Sequence, residues 1–326
     1  MINGSRLSSA AAMRLVRQLP ALLAAAALTA CGGDDPVLEE AATPAPEATA
    51  QPADPVAPAD DDGGGGGASP FIGSISVDPG DGTMMIGTGL GLYRLKPGAR
   101  RADRIEGTLE TPEGAGPISA NLELLHAGPG ELLASGHPEG GDLPENLGLI
   151  RSGDRGETWE PVSGLGEFDW HVLEPSRGII AGVPAEATDL YVSTDGGAAF
   201  ERGGVAPAPP DDLAIDPADP ERWVAASAEG LATSADGGAS WRPREPVPGA
   251  LLGWAEPDGL YRVDQGGMSW VSRDGGETWE QRGDAGGSPS TLDVGPDGTV
   301  YLALAGAVVK RSTDGARTWK EVVTVG

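Results

Sequence analysis

The sequence predicts an all-β protein built from similar four-stranded units, and three observations support this prediction. An eight-residue phrase, clearest at 272–279, occurs in five copies along the chain. Short runs that alternate apolar and polar side chains, such as those before residues 193 and 312, precede the copies, and a period of two is typical of β-strands. The spacing of the copies leaves room for short strands but not for helices, which indicates a repeat architecture.

We call these copies the repeated turns, and each is predicted to form a hairpin between two strands. The aspartate at the third position accepts hydrogen bonds from backbone N–H groups of its own turn, and a following glycine permits a positive φ. The aromatic side chain at the last position begins the next strand and buries a large ring. The aspartates are Asp154, Asp195, Asp236, Asp274 and Asp314, and the aromatic residues are Trp159, Phe200, Trp241, Trp279 and Trp319.

Six units of this kind fit between residues 71 and 326. The first unit lacks a repeated turn, because Arg100-Arg101-Ala102-Asp103 stands in its place. Strand-turn-strand units expose their sheet edges unless they close into a ring. The sequence therefore predicts a six-bladed β-propeller over 71–326, which is expected to be stable as a monomer. The units span 74–95, 118–161, 168–203, 212–246, 251–283 and 291–325.

The first thirty residues are predicted to be a lipoprotein signal peptide. Two arginines precede an apolar run at 19–30, which is too short to span a bilayer comfortably. Leu28-Thr29-Ala30-Cys31 resembles the lipobox of bacterial lipoproteins, so Cys31 is the expected lipidation site. The alternative is an ordinary secretory signal with an incidental cysteine. Met13 offers a second possible start that keeps both arginines, and Gly32 favours the outer membrane over inner-membrane retention.

Residues 31–70 are predicted to be a disordered tether. Their composition shifts to Ala, Pro, Asp, Glu and Gly, and Asp60-Asp61-Asp62 is followed by five glycines. Such a segment buries little apolar surface, and its charges and prolines keep it extended. The chain is therefore expected at the cell envelope, attached to the outer membrane or cell surface only through its lipid anchor.

The repeated turns resemble the Asp-box, or BNR repeat, of pattern Ser-x-Asp-x-Gly-x-Thr-Trp. Sialidases, sortilin-type receptors, certain xyloglucan hydrolases and photosystem assembly factors carry this repeat in blade hairpins of β-propellers. The resemblance implies that the five aspartates are structural, since the boxes of those families lie away from the central site. Over the whole globular part the chain also resembles uncharacterised bacterial BNR-repeat or glycosyl-hydrolase-like propellers, through marks such as Ser76-Val77-Asp78-Pro79 and Ile215-Asp216-Pro217.

A candidate ligand-binding sector is expected at the top mouth of the ring, where the inner strands begin. The link 137–146 is the one generous insertion, and it lies beside the starts of the third and fourth units. Its charged and aromatic groups can bind a cation, a sugar or a basic peptide. Alternatively, the histidines are hydrogen-bonded structural residues, the acids are solvated, and Trp170 and Trp254 pack between blades. The candidates are His137, Asp142, Asp169, Trp170, His171, Asp211 and Asp212.

Two function classes remain open. The first is a binding or assembly module for an envelope protein or glycan. The second is a glycoside hydrolase, because Asp169 with Asp142 or Asp212 can serve as the carboxyl pair of an inverting mechanism. The arginine cluster and the Tyr-Glu pair that a sialidase needs are missing, so sialidase activity is not expected.

Several ligand classes are not expected. The formal net charge is −27, so nucleic acid is disfavoured because its phosphates would be repelled. No metal-ligand or phosphate-loop pattern is present, and no cofactor or resident metal is predicted. Weak calcium sites at Asp78 with Asp81, or at Asp216 with Asp219, are the exception, although plain turns explain these residues better.

Overall fold

The computed structural model describes residues 71–112, 114–118, 120–138, 143–255 and 259–326. Within these ranges the regular structure consists of β-strands, arranged in six sheets. No helix in the described part is long and apolar enough to cross a membrane. The predicted signal peptide, the lipidation site Cys31 and the tether lie outside the described residues.

Consecutive strands form the six sheets. The first contains β1 (Ile72–Val77), β2 (Met84–Thr88), β3 (Gly91–Leu95) and β4 (Asp103–Ile105). The second contains β5 (Gly107–Thr111), β6 (Gly114–Ile118), β7 (Ala120–Gly128), β8 (Glu131–Pro138), β9 (Leu149–Ser152) and β10 (Thr158–Ser163). The third contains β11 (Trp170–Ser176), β12 (Ile179–Pro184), β13 (Asp189–Ser193) and β14 (Glu201–Val205).

The other three sheets repeat the four-stranded order. The fourth contains β15 (Pro210–Ile215), β16 (Trp223–Ser227), β17 (Gly230–Ser234) and β18 (Arg242–Pro243). The fifth contains β19 (Leu251–Ala255), β20 (Gly259–Val263), β21 (Met268–Ser272) and β22 (Glu280–Asp284). The sixth contains β23 (Pro289–Val294), β24 (Val300–Leu304), β25 (Val308–Ser312) and β26 (Lys320–Thr324).

The six sheets are the blades of a closed ring. The inner strands contact one another in the cycle β1, β7, β11, β15, β19, β23 and back to β1. The prediction of a six-bladed β-propeller is therefore confirmed. We call the side on which the inner strands begin the top face. Because neighbouring strands of a blade are antiparallel, the repeated turns lie on the opposite, bottom face.

The ring closes between the first and last blades without a shared sheet in the described part of the chain. The backbone N–H of Val77 in β1 donates to Asp293 Oδ2 in β23 over 2.9 Å. Buried apolar side chains from both blades, among them Ile72, Ile86 and Val309, form one cluster across this junction. Closure therefore depends on apolar packing and one hydrogen bond from a backbone group to a side chain.

The second blade carries an additional hairpin that the sequence did not predict. Strands β5 and β6 extend this sheet, and β5 runs parallel to β10 through the pairs Thr108 with Thr158 and Leu109 with Trp159. A Cβ atom at Gly107 would lie 2.6 Å from the carbonyl oxygen of Gly156, so the approach requires glycine. The predicted unit 118–161 thus omits the outer part of its sheet, because no repeated turn marks it.

The repeated turns share one hydrogen-bond pattern. In the clearest copy the Ser272 hydroxyl donates to Asp274 Oδ1 over 2.8 Å and accepts from the N–H of Gly276 over 2.8 Å. Asp274 also accepts from the backbone N–H of Thr278 over 2.9 Å and from its hydroxyl over 2.6 Å. Hydrogen bonds from the side chain and backbone of Thr318 likewise hold the pKa of Asp314 well below its ordinary value.

Replacing these aspartates is expected to have unequal effects. Asp195 has Ala199 where the clearest copy has Thr278, so it lacks the hydroxyl donor. Asp274→Ala should lower the free energy of unfolding by about 1–3 kcal/mol, since each lost hydrogen bond contributes about 1 kcal/mol. Asp195→Ala should cost less. Urea denaturation of both variants checks the order, and an equal or reversed loss would contradict this account of the turns.

Each carboxylate pair suggested for calcium includes an acceptor of hydrogen bonds from an arginine side chain. Arg155, in a repeated turn, donates to Asp78 Oδ2 over 3.2 Å and to Asp81 Oδ2 over 2.8 Å, which links the bottoms of the first two blades. Arg222 donates to Asp216 Oδ2 over 3.2 Å. The carboxylate of Asp219 instead accepts from the backbone N–H of Glu221 over 3.2 Å, so each of the four carboxylates has a partner within the protein.

Candidate functional site

A channel of about 430 Å³ lies at the centre of the ring. The inner strands of all six blades line it, so its shape follows directly from the closure of the propeller. Among the described residues, five acidic side chains line this channel, and the lining includes no lysine or arginine. We call them the channel acids: Glu123, Glu174, Asp211, Asp212 and Asp293.

Burial of these acids raises their pKa values. It raises the pKa of Glu123 to about 8, with a further contribution from the negative charge of Asp212. Burial and the same Asp212 charge raise the pKa of Glu174 well above its ordinary value. Burial raises the pKa of Asp212 to about 7 and that of Asp293 to about 6. The channel therefore contains carboxyl groups whose pKa values lie close to neutral pH, so they are partly protonated there.

Two of the channel acids also join neighbouring blades. Asp212 accepts from the backbone N–H of Leu252 in the next blade over 2.8 Å and from that of Leu213 over 2.8 Å. Asp293 binds Val77 across the ring closure, as described above. Both oxygens of Asp212 are thus used in structural hydrogen bonds. Glu123 on β7 and Glu174 on β11 project into the channel from blades two and three.

Near the bottom of the channel lie an imidazole and an indole. The Nδ1 atom of His126 lies 2.6 Å from the Ser76 hydroxyl, and burial lowers the pKa of His126 to about 4, so this histidine is neutral at physiological pH. The half-buried Trp254 ring also lines the channel, and the guanidinium of Arg222 lies 5.8 Å from its centre. Among the described lining residues, the one imidazole of the channel, that of His126, is therefore uncharged.

On the top face the structure brings three of the predicted residues together. Nε2 of His137, at the end of β8, lies 2.9 Å from Asp169 Oδ2. Nε2 of His171, in β11, lies 3.0 Å from the same oxygen. The two imidazoles meet edge to face with their centres 6.4 Å apart. We call His137, Asp169 and His171 the top-face triad.

Trp170 does not lie at the mouth, which corrects that part of the prediction. Only 1% of its surface is exposed, because its ring stacks on Phe168 at 4.8 Å and packs against Tyr191 and Phe200. The alternative expectation, packing between blades, describes it, because its cluster combines side chains of blades two and three. Asp211 is exposed at the top end of β15, and Asp142 lies outside the described residues.

Glu123, Glu174 and Asp293 were not predicted. Each is the single acidic residue of its inner strand, and Glu123 stands between two leucines, Leu122 and Leu124. An acid at a core-like position was therefore the available signal. The sequence did not show whether such an acid faces the channel. Register shifts near the starts of β1, β11, β15 and β23 alter which side chains face it.

Comparison with known proteins supports the fold. No protein-family model and no curated protein matches the sequence. A chain of a nidogen/laminin complex matches with a TM-score of 0.54 and 11% identity, over 74% of this chain and 92% of the other. The chain therefore has a β-propeller fold.

Two further structures resemble this propeller. An ancestral GH74 enzyme matches with a TM-score of 0.51 and 13% identity, over 75% of this chain. The match covers 36% of the enzyme chain, so this chain spans little more than a third of that enzyme's length. YCF48 from Cyanidioschyzon merolae matches with a TM-score of 0.43 and 15% identity, over 78% of this chain and 85% of the other. Identities this low show a shared fold and not a shared function.

Proposed function

We propose that this protein is a non-enzymatic binding module that accepts a cationic group, such as a lysine or arginine side chain of a protein partner, in its central channel. The observation that carries the proposal is the set of five channel acids in a lining whose described residues include no lysine or arginine. Buried carboxyl groups are costly to ionise unless an opposite charge lies nearby. A bound cation supplies that charge.

The size of the channel is consistent with such a ligand. Its volume of about 430 Å³ lies within the range of roughly 300–1,000 Å³ found for small-ligand sites, so it suits a side chain rather than a folded element. A basic side chain that enters from the top face would first meet the exposed Asp211 and then Glu123 and Glu174. The charge complementarity would also accelerate association with a basic partner.

The fold by itself supports both function classes. Among the structures described above, a chain of a nidogen/laminin complex and a GH74 enzyme both match with TM-scores above 0.5. A glycoside hydrolase is therefore the second candidate, and the carboxyl groups with pKa values near 7 to 8 are the specific observation in its favour. Against it, both oxygens of Asp212 are engaged by backbone groups, and Oδ2 of Asp169 lies within 3.0 Å of nitrogens of two histidines, which leaves little room for a substrate at that oxygen.

The location of the protein is part of the proposal. A lipid on Cys31 and an extended tether would display the propeller at the cell envelope, where a protein or a glycan can reach its top face. The repeated turns are proposed to be Asp-boxes with a purely structural role. Their shared hydrogen bonds support this assignment, because the same side chains that match the Asp-box pattern close each turn.

Calorimetric titration with blocked tripeptides tests the channel as a cation site. The full chain carrying Cys31→Ser is titrated with Gly-Lys-Gly, Gly-Arg-Gly and Gly-Glu-Gly at pH 7.5. We expect the two basic peptides to bind and to release protons, because a bound cation favours ionised carboxylates. Glu123→Gln/Glu174→Gln should weaken this binding about tenfold or more, which corresponds to about 1.4 kcal/mol.

The matched control replaces two exposed glutamates, Glu201→Gln/Glu229→Gln, and removes the same formal charge. This variant should bind the basic peptides as the unmodified channel does. If both variants lowered the affinity for the basic peptides equally, the effect would come from net charge, and the proposal would be wrong. Incubation with a polysaccharide panel is the second arm, and cleavage that Glu123→Gln/Glu174→Gln abolishes would replace the binding module by a glycoside hydrolase.

A further inference from the structure

We propose that the top-face triad, His137, Asp169 and His171, is a binding site for a first-row divalent transition-metal ion, with zinc(II) as the ion to test. The triad is composed of two imidazoles and one carboxylate, and it does not include the channel acids. The proposal therefore stands or falls independently of the proposed binding of a cationic side chain.

The distances from each histidine nitrogen to the Asp169 oxygen are close to the distance between two ligand atoms of one zinc ion. One ligand atom from each residue lies within 4.8 Å of the others. The Nε2 atoms of His137 and His171 lie 2.9 and 3.0 Å from Asp169 Oδ2. Zinc binds imidazole nitrogen and carboxylate oxygen at about 2.0–2.2 Å, so two ligands of a tetrahedral ion lie about 3.3 Å apart. The two distances to Asp169 Oδ2 need to change by a few tenths of an ångström, and side-chain rotation of the imidazoles can bring their nitrogens, which lie within 4.8 Å of each other, to the ion.

The Nδ1 atom of His137 has a backbone partner of its own, so Nε2 is the ring nitrogen that faces the carboxylate. Its Nδ1 atom lies 3.1 Å from the backbone oxygen of Glu145, and a carbonyl oxygen can only accept, so Nδ1 carries a proton. In the neutral imidazole, Nε2 is then an acceptor, and it faces a second acceptor, Asp169 Oδ2, over 2.9 Å. A cation between these two atoms removes the repulsion. A carbonyl partner on the other ring nitrogen is also the usual support of a metal-ligating histidine.

Asp169 has an unused oxygen as well. Its Oδ1 atom is buried and has no hydrogen-bond partner among the described residues. A buried carboxylate oxygen without a partner is rare in native proteins, and a bound ion is one of its common explanations. An ion coordinated by Asp169 would neutralise the charge that this oxygen shares.

The surrounding structure holds Asp169 in place. Its chain neighbours, Phe168 and Trp170, stack on each other at 4.8 Å. Its own carbonyl oxygen accepts from the N–H of Ala185 over 3.0 Å. A ligand whose flanking residues are packed in a core loses little entropy when it binds an ion, which favours binding.

The donor set selects the class of metal. Calcium and magnesium prefer sites made only of oxygen ligands, whereas imidazole suits zinc, copper, iron and nickel. The imidazoles of His137 and His171 are 47% and 58% exposed, so the remaining coordination positions would face solvent. Those positions can hold water or a donor atom of a partner molecule.

Equilibrium dialysis with zinc(II), followed by cobalt(II) absorption spectroscopy, tests the site. The full chain carries Cys31→Ser, which removes the one thiol, and has no histidine tag. We expect one zinc ion per chain at pH 7.5. His137→Gln, His171→Gln and Asp169→Asn should each lower zinc affinity about tenfold to a hundredfold or more, and each should remove the visible bands of bound cobalt.

His126→Asn serves as the matched control, since it removes the remaining histidine of the chain without touching the triad. It should leave zinc affinity unchanged, and circular dichroism should show that every variant is folded. Absence of zinc and cobalt binding would overturn the proposal. So would binding that survives all three triad substitutions, or NMR spectra that show His137 protonated on both nitrogens and unaffected by zinc.

Discussion

Replacing Trp170 by alanine is expected to lower the free energy of unfolding by about 3–5 kcal/mol, which is typical of deleting a fully buried aromatic ring. Only 1% of Trp170 is exposed, and its ring contacts Phe168, Tyr191 and Phe200. The substitution would leave a cavity between blades two and three. Urea denaturation, followed by the fluorescence of the remaining tryptophans, measures the loss.

Two further variants separate cavity formation from other effects of the substitution. The Nε1–H group of Trp170 is buried without a hydrogen-bond partner in the described part of the chain, so Trp170→Phe loses volume but no hydrogen bond. It should cost clearly less than the alanine variant. Trp254→Ala, at a half-buried position that lines the channel, should cost about 1–2 kcal/mol. Equal losses at Trp170 and Trp254 would contradict the placement of Trp170 in the core.

The part of the stability that Glu123 and Glu174 contribute should fall as the pH rises from 5 to 8. The pKa of Glu123 rises in the folded protein from 4.5 to about 8, and that of Glu174 is raised well above 4.5. Between the unfolded and folded pKa values the folded state holds more protons than the unfolded state. The contribution of Glu123 to stability is therefore full below about pH 4.5 and is lost as the pH rises through about 8, whereas the lowered pKa of His126 acts in the opposite direction below about pH 6.5.

The double variant Glu123→Gln/Glu174→Gln should flatten this pH profile. Each unit of pKa shift corresponds to about 1.4 kcal/mol, and water in the channel reduces the effect, so we expect a difference of about 2–4 kcal/mol between the two profiles at pH 8. The exposed pair Glu201→Gln/Glu229→Gln should leave the slope unchanged. Urea denaturation at pH 5, 6, 7 and 8 gives the free energy of unfolding as a function of pH. Parallel curves for all three proteins would contradict the raised pKa values of Glu123 and Glu174.

The sequence was a good guide to the blades because the chemistry of the repeated turns is local. A serine, an aspartate and a hydroxyl residue within eight positions form nearly all the hydrogen bonds of the turn, so each copy marked one hairpin. The β5–β6 hairpin carries no such mark. It joins the sheet through a short parallel pairing with β10, some fifty residues away, and local pattern does not encode that partner.

The candidate site was predicted in part for a similar reason. The topology of a blade places residue 137 and residues 169–171 on the same face, so their proximity could be inferred. Two imidazoles on one carboxylate oxygen could not, because that depends on side-chain directions. Glu174 was missed because strand alternation alone does not say which face of a strand with an altered register meets the channel. Glu123 lies in the regularly paired part of β7, and it was missed because an acid between two leucines was not taken as a channel position.

The junction of the first and last blades has a consequence for how the chain can be rearranged. Each sheet of the described chain is encoded by one continuous stretch, and none combines strands from blades one and six. A circular permutation that links the present ends of the propeller and opens the chain between β14 and β15 would therefore leave every sheet intact. The permuted gene would encode the same six blades in a new order. The Val77–Asp293 hydrogen bond would then join two blades that follow each other in the chain.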